Sequence, residues 1–150
     1  MEDGGITNRS IVASTRSFGN NPERFGPQQA RLRWSLGYRA DPVEVKETSF
    51  HFLMVKLPQE MVITGIATQG LGKEWVTKYE LLSRQHETSF VRFREVNGTV
   101  KKFEGNTDGD KIKYNPVPIP KKASEVLFVP TEWHGNIALR FELYGCSKGK

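Results

Sequence analysis

Strict alternation of side chains near the end of the chain constrains the fold more than any other feature. Between Ile137 and Leu143 every odd-numbered residue is large and apolar, and the residues between them include Arg140 and Glu142. A period of two predicts a β-strand with one face buried and the other exposed. The strand runs into Cys146, the only cysteine in 150 residues. The pattern alone does not say whether that thiol is reactive or structural.

Three further segments carry strand signals. SFHFLMVKL (49–57) and EVLFVP (125–130) are near-continuous apolar runs, which are typical of strands buried on both faces. MVITGIATQG (61–70) is a third strand that ends in glycine. Several short strands at this spacing predict an all-β, antiparallel sandwich or barrel in a single domain.

Two other segments need interpretation. VRFREVNGTVKKF (91–103) contains two strand-like runs around Asn97-Gly98, a dipeptide that predicts a type I′ hairpin turn. EWVTKYELL (74–82) could form a helix with one apolar stripe, but its β-branched and aromatic content favours a strand. No other segment predicts a helix.

Two long segments rich in Gly, Pro and polar residues interrupt the strands, at 15–29 and 35–48. Long loops on a compact β scaffold are where binding sites commonly lie. The first carries Phe18 and Phe25. An aromatic residue on such a loop either fills the core or contacts a partner, and the sequence leaves both options open.

Motifs for catalysis, cofactors and metals are missing from the sequence. It has no G-x-S-x-G elbow, Walker loop or G-x-G-x-x-G, and its three histidines lack metal-ligand spacing. EGNTDGDK (104–111) departs from the calcium-loop pattern and instead predicts a tight turn held by Asp or Asn side chains. We therefore expect no enzyme, no cofactor and no bound metal.

Charge and hydropathy restrict the partners and the location. The net charge is +5, but the basic residues are scattered, which is typical of a solvated surface and compatible with anionic lipid or sulfated glycan. Nucleic acid is disfavoured, because no recognition-helix pattern is present.

The longest apolar run, 52–55, cannot span a bilayer. No signal peptide is apparent, so the chain is either cytosolic or a piece of a secreted precursor. Two sequons, at Asn8 and Asn97, would be usable only in a secreted protein.

Six segments, in order, resemble one known family. They are ITNRSIVAS (6–14), ARLRW (30–34), VITGIATQG (62–70), EWVTKYEL (74–81), FEGNTD (103–108) and PTEWHGNIALRFELYGC (130–146). Each resembles a segment of the discoidin domains, also called coagulation factor V/VIII type C domains. Any one match is weak, whereas six in register cover nearly the whole chain.

The chain departs from this family at several positions. Met54 and Lys56 stand where Gln and Asp are usual, and SEVLFV (124–129) lacks two expected arginines. Phe90 replaces a frequent Trp before the hairpin. These changes concern the scaffold. Tyr38 occupies the place of a Trp common in the second loop, and this change touches the expected binding surface.

The resemblance implies a distorted antiparallel β-barrel of roughly eight strands in two packed sheets, of jelly-roll type, spanning residues 1–146 with a tail at 147–150. It implies a noncatalytic, extracellular recognition or adhesion module that binds ligands through projecting loops at one end. Mapped onto this sequence, the loops are 16–28, 35–48 and 69–75. The ligand-binding residues it implies are Phe18, Phe25, Tyr38, Arg39, Asp41, Leu71, Lys73, Glu74 and Trp75.

The ligand class stays open at this point. Apolar tips beside cations suit an anionic phospholipid surface. An aromatic ring with Arg and Asp nearby suits a cell-surface glycan, in which case Tyr38 would stack on the sugar. Collagen or another extracellular protein is a third option for the ligand. A further alternative concerns the role of the domain, which would then be a carbohydrate-targeting module of a larger enzyme. Trp75 begins a strand and is either core or ligand-binding.

The family usually joins its final cysteine to one near the start. That partner commonly lies a few residues before a Met-Glu-Ser-Gly stretch, which the opening MEDGGI resembles. The resemblance therefore implies that Cys146 forms a disulfide with a cysteine outside this sequence, in an oxidising, extracellular setting.

Overall fold

A computed structural model describes residues 10–48, 50–86 and 88–147, and the structural statements below concern those residues. The eight strands are β1 (Ile11–Ala13), β2 (Tyr38–Arg39), β3 (Leu53–Gln69), β4 (Trp75–Arg84), β5 (Val91–Arg92), β6 (Phe103–Glu104), β7 (Lys113–His134) and β8 (Ala138–Ser147). Two short helices, α1 (Pro22–Phe25) and α2 (Pro42–Glu47), and two 3₁₀ turns lie in the long loops. Asn8 and residues 148–150 lie outside the described residues. No helix in the described ranges is long and apolar enough to cross a membrane.

The strands form an antiparallel sheet in the order β2–β8–β3–β7–β4–β5, with β1 added to β3 and β6 added to β4. The all-β, discoidin-like prediction is confirmed. The sheet does not close on itself, so the word barrel describes it only loosely. Register shifts in β3, between Lys56 and Met61 and between Ile63 and Gly65, mark bulges that bend long strands.

Stacked aromatic rings fill the core. Tyr79 on β4 packs between Phe103, at 5.1 Å between ring centroids, and Phe128, at 4.5 Å. Phe128 in turn contacts Phe141 of β8 at 5.9 Å. Burying a side chain of this size contributes roughly 1.5–3 kcal/mol, so these rings tie β4, β7 and β8 together.

Strand β8 is buried more completely than its alternation predicts. Its apolar face, including Leu139 and Phe141, is buried as expected. The prediction that the other face is exposed is wrong for Arg140 and Glu142, which are both buried. For Arg140 the reason is that backbone segments from distant parts of the chain cover its side chain, as its contacts show below.

The segment 74–82 is a strand, as predicted. The turn at Asn97-Gly98 differs from type I′, because only Gly98 has positive φ, at 94°. The Gly98 amide donates to the Glu95 carbonyl at 2.9 Å, and the Asn97 side chain accepts from the amide and hydroxyl of Thr99. This side-chain pairing holds Asn97 in an ordinary backbone conformation.

Helix α2 lies in a segment predicted to be a loop. Asp41 accepts hydrogen bonds from the amides of Val43 and Glu44, at 2.9 and 3.3 Å, and Pro42 occupies the first helical position. An N-cap aspartate followed by proline is a helix start signal. The helix has only six residues, too few to produce a clear apolar period.

Candidate ligand-binding site

The three loops predicted to bind ligands meet around a cavity of about 270 Å³. The first loop contributes a cation and an aromatic ring, the second mostly small and apolar groups, and the third a hairpin tip. The lining residues are Arg24, Phe25, Ser35, Leu36, Gly37, Arg39, Leu71, Gly72 and Lys73. We call this the tip cavity.

Arg39 joins the three loops at the tip cavity. Its Nε and Nη2 atoms donate to the two carboxylate oxygens of Glu74, at 2.6 and 2.9 Å. Its Cζ atom lies 4.1 Å from the ring centroid of Phe18 and 5.7 Å from that of Phe25. The two rings contact edge to face at 5.4 Å. The hydrogen bonds to the Glu74 carboxylate raise the pKa of Arg39, although partial burial of the guanidinium acts in the opposite direction.

The third loop is a tight hairpin. The Leu71 amide donates to the Glu74 carbonyl at 2.8 Å, and the Glu74 amide returns a bond to the Leu71 carbonyl at 3.1 Å. Gly72 has φ 60°, a conformation that glycine adopts without steric cost. The turn therefore presents an exposed Lys73 and a half-buried Leu71 at the cavity, while Glu74 turns back toward Arg39.

Arg140 supports the tip cavity from below and is only 8% exposed. Its guanidinium donates to the carbonyls of Gly70 and Gly109, each at 3.0 Å, and of Trp34, at 2.5 Å. Burial lowers the pKa of Arg140, although a guanidinium stays protonated in proteins. One side chain of β8 thus fixes three backbone segments that arrive from different parts of the chain.

Tyr38 is buried and cannot stack on a sugar. The side chain is 2% exposed, and its hydroxyl donates to the Thr15 carbonyl at 3.0 Å. Burial raises the pKa of Tyr38 well above its ordinary value. The prediction that this ring contacts a ligand is therefore contradicted by its burial: it fills the core under the second loop.

Replacing Tyr38 with phenylalanine should affect stability and spare binding. The change removes one buried neutral hydrogen bond, so we expect the free energy of unfolding to fall by about 1 kcal/mol. Urea denaturation would measure this. Loss of ligand binding at unchanged stability would contradict the assignment of Tyr38 to the core.

Asp41 and Trp75 also lie away from the tip cavity. Asp41 caps helix α2 and pairs with Nε of Arg16 at 3.1 Å, and this hydrogen bond lowers the pKa of Asp41. Trp75 stacks on His134 of β7, with ring centroids 4.3 Å apart and planes 14° apart. The two side chains therefore hold the local structure around the cavity and do not line it.

The sequence analysis does not predict several of the residues that lie at or beside the tip cavity. Trp34 is not among the predicted ligand-binding residues, yet it is 42% exposed and directly precedes Ser35 and Leu36, which line the cavity. The guanidinium of Arg31 lies 5.3 Å from the Trp34 ring. The available signal was a large aromatic residue followed by a Ser-Leu-Gly segment. Arg24, by contrast, carried no signal that distinguishes it from any other surface arginine.

Comparisons with known proteins agree with the observed fold. The F5/8 type C domain family matches residues 10–143. Neurexin-4 of Drosophila melanogaster is 37% identical over 145 residues, which cover 94% of this chain and 10% of that protein. Among solved structures, discoidin II of Dictyostelium discoideum superposes with a TM-score of 0.75 at 20% identity, over 90% of this chain and 53% of that one. The family 32 carbohydrate-binding module of Clostridium perfringens NanJ, in complex with galactose, superposes with a TM-score of 0.60 at 15% identity, over 91% of this chain and 97% of that one. This chain thus spans about a tenth of the length of the Drosophila relative.

Proposed function

Because this chain belongs to the F5/8 type C domain family, we propose that it is a noncatalytic recognition module that binds an extracellular glycan in the tip cavity. Domains of this family are binding modules for carbohydrate, lipid or protein ligands. The observation that carries the proposal is the meeting of three loops around one concave site, held by the Arg39–Glu74 pair.

The size and lining of the tip cavity support a sugar ligand. A volume of about 270 Å³ lies at the lower end of small-ligand sites, which suits one sugar ring. Phe25 and Leu71 offer apolar contacts to the ring face, while Ser35 and Lys73 can bond to hydroxyl or acidic substituents. The galactose complex of the NanJ module is an example of a sugar bound on the same fold.

Charge favours a sugar that carries an acidic group. Arg24 and Lys73 line the cavity, and the carboxylate of Glu74 is already occupied by Arg39. A carboxylate or sulfate on the sugar would meet these cations at short range. We therefore expect acidic glycans to bind more tightly than neutral ones at low ionic strength.

An anionic membrane is the second candidate, and the exposure of Trp34 is the observation that favours it. An exposed indole next to Ser35 of the tip cavity, which Lys73 also lines, is an arrangement that suits the headgroup boundary of a phospholipid surface. Phe18 gives little support to membrane binding, because its side chain is half-buried under the guanidinium of Arg39.

A screen on three surfaces tests the proposal: a glycan array, liposomes with and without phosphatidylserine, and immobilised collagen. We expect acidic glycans to give hits, and Leu71→Ala and Lys73→Met each to weaken them about five-fold or more. Lys56→Met is the matched control, because Lys56 is exposed on β3, far along the strand from the loop end. Phosphatidylserine-dependent binding lost in Trp34→Ala would indicate the membrane instead. Binding only to collagen would indicate a protein ligand, and binding to none of the three would overturn the proposal.

The setting of the module is part of the proposal. We place it outside the cell, as an adhesion domain or as a targeting module of a larger enzyme. Asn97 is exposed and its use as a glycosylation site stays a prediction. Cys146 is exposed with a free thiol, and as the only cysteine it cannot form a disulfide within this sequence. Its predicted pairing with a cysteine elsewhere stays a prediction.

A further inference from the structure

A second cavity, of about 310 Å³, lies at the opposite end of β4 from the tip cavity. Ser83 and Arg84 line it at the end of the strand, whereas Trp75, at the start of β4, follows the third tip loop. Trp75 and Arg84 are nine residue steps apart, which in an extended strand corresponds to roughly 30 Å. A ligand in this lower cavity would therefore not compete for the tip residues.

The lower cavity contains a buried hydroxyl with no partner. Ser83 is 1% exposed, and its Oγ makes no hydrogen bond within the described part of the chain. It lies on the core-facing side of β4, and its cross-strand neighbours are Val91 and Val126, which offer no side-chain acceptor. Buried hydroxyls are nearly always paired, so an unpaired one lining a cavity indicates a place for a ligand acceptor.

The lower cavity also contains a cation without a counter-ion. The amine of Lys121 reaches only the carbonyls of Val91 and Arg92, at 3.4 and 3.5 Å, and lies 5.4 Å from the Phe93 ring centroid. No ion pair to Lys121 is found in the described ranges. Burial, and then repulsion from Arg94, lowers the pKa of Lys121, as expected where positive charge is not balanced.

The other charged groups near the lower cavity are ion-paired, hydrogen-bonded or exposed. Arg84 is paired with Glu125 at 2.7 Å, and its guanidinium covers the Phe90 ring at 4.4 Å. Glu60 accepts a bond from the Gln85 side chain at 3.3 Å. Lys122 lines the cavity and is exposed. Glu60 does not line the cavity, and the charged side chains that do, besides the paired Arg84, are Lys121 and Lys122 of β7.

We propose that the lower cavity binds an oxyanion, a sulfate or phosphate group, held by the amine of Lys121 and by the hydroxyl of Ser83, with Lys122 at the rim. An ammonium group and a hydroxyl donor that line one cavity match the acceptors of a tetrahedral oxyanion. The site is independent of the ligand at the tip cavity. Its donors come from β4 and β7, two neighbouring strands of the sheet.

Nuclear magnetic resonance titration of the ¹⁵N-labelled chain tests this site. Sodium sulfate and sodium phosphate should cause saturable shifts of the Ser83 and Lys121 amides, and sodium chloride at equal ionic strength should not. Glucose 6-sulfate and glucose 6-phosphate form the second arm. Tighter binding of these esters than of the free ions would assign the group to a sugar, and equal or weaker binding would assign the free ion. Shifts in chloride equal to those in sulfate would overturn the proposal.

Matched variants make the assignment specific. We expect Lys121→Met, which keeps the apolar stem, to weaken sulfate and phosphate binding at least ten-fold, and Ser83→Ala to weaken it about three-fold or more. Lys113→Met is the control, because it removes the same charge from an exposed position on the same strand. The chemical-shift dispersion of the amides in the core strands shows whether each variant is folded. Lys121→Met tests the site even if Ser83→Ala does not fold. Equal affinity in Lys121→Met and Lys113→Met would overturn the proposal.

Discussion

Replacing Arg140 with methionine is expected to lower the free energy of unfolding by about 3 kcal/mol or more. The change keeps most of the side-chain volume but leaves the carbonyls of Gly70, Gly109 and Trp34 without their donor. Each buried acceptor left unpaired costs roughly 1–3 kcal/mol, and water entering the loosened loops would recover part of it. Urea denaturation, with the slope of the transition compared between variants, measures the loss.

Two controls separate this effect from a general loss of charge. Arg140→Lys keeps the cation but cannot serve three diverging carbonyls, so we expect an intermediate stability. Arg92→Met removes an exposed arginine from β5, and we expect a change within about 0.5 kcal/mol. Equal stabilities of Arg140→Met and Arg92→Met would show that Arg140 does not hold the loops.

Replacing Arg39 with alanine is expected to loosen the tip cavity without unfolding the domain. The variant loses the two-pronged bond to Glu74 and the contact of the guanidinium with the Phe18 ring. Because the pair is partly exposed, its coupling contributes only about 1 kcal/mol to global stability. We expect a larger effect on the local opening of the loops than on global unfolding, because Arg39 links the first loop to the third. We expect hydrogen exchange of the Leu71 and Glu74 amides to speed up at least ten-fold.

Arg39→Lys is the informative control. Lysine preserves the charge but cannot form the fork that meets both carboxylate oxygens. We expect it to restore less than half of the lost protection. Full protection in the lysine variant would indicate that charge alone organises the site, and unchanged exchange in the alanine variant would contradict the role given to Arg39.

Part of the candidate site could be predicted from the sequence. Gly- and Pro-rich segments with aromatic residues predict the first two loops, and the family resemblance adds the third, 69–75, and assigns all three to one end. Phe25, Leu71 and Lys73 do line the cavity. Tyr38 and Asp41 were misassigned for different reasons. The sequence does not show whether a loop aromatic points inward, whereas Asp41 followed by proline is itself a helix start signal.

The tight turn predicted at 104–111 has a clear local cause. Asp108 accepts bonds from the amides of Asp110 and Lys111, at 2.9 and 2.7 Å, as expected for an Asp or Asn turn. These two bonds lower the pKa of Asp108. Predictions of this kind succeed because the atoms involved lie within four residues of each other.

The sequence by itself determined the β class, the strand at 74–82 and the family, because periodicity and short motifs reflect interactions between residues close along the chain. Tertiary structure alone decided the burial of Arg140, the inward position of Tyr38 and the unpaired hydroxyl of Ser83. The physical reason is the same in each case. The atoms that bury these groups, or fail to pair with them, come from segments far apart in sequence, so a local pattern contains no information about them.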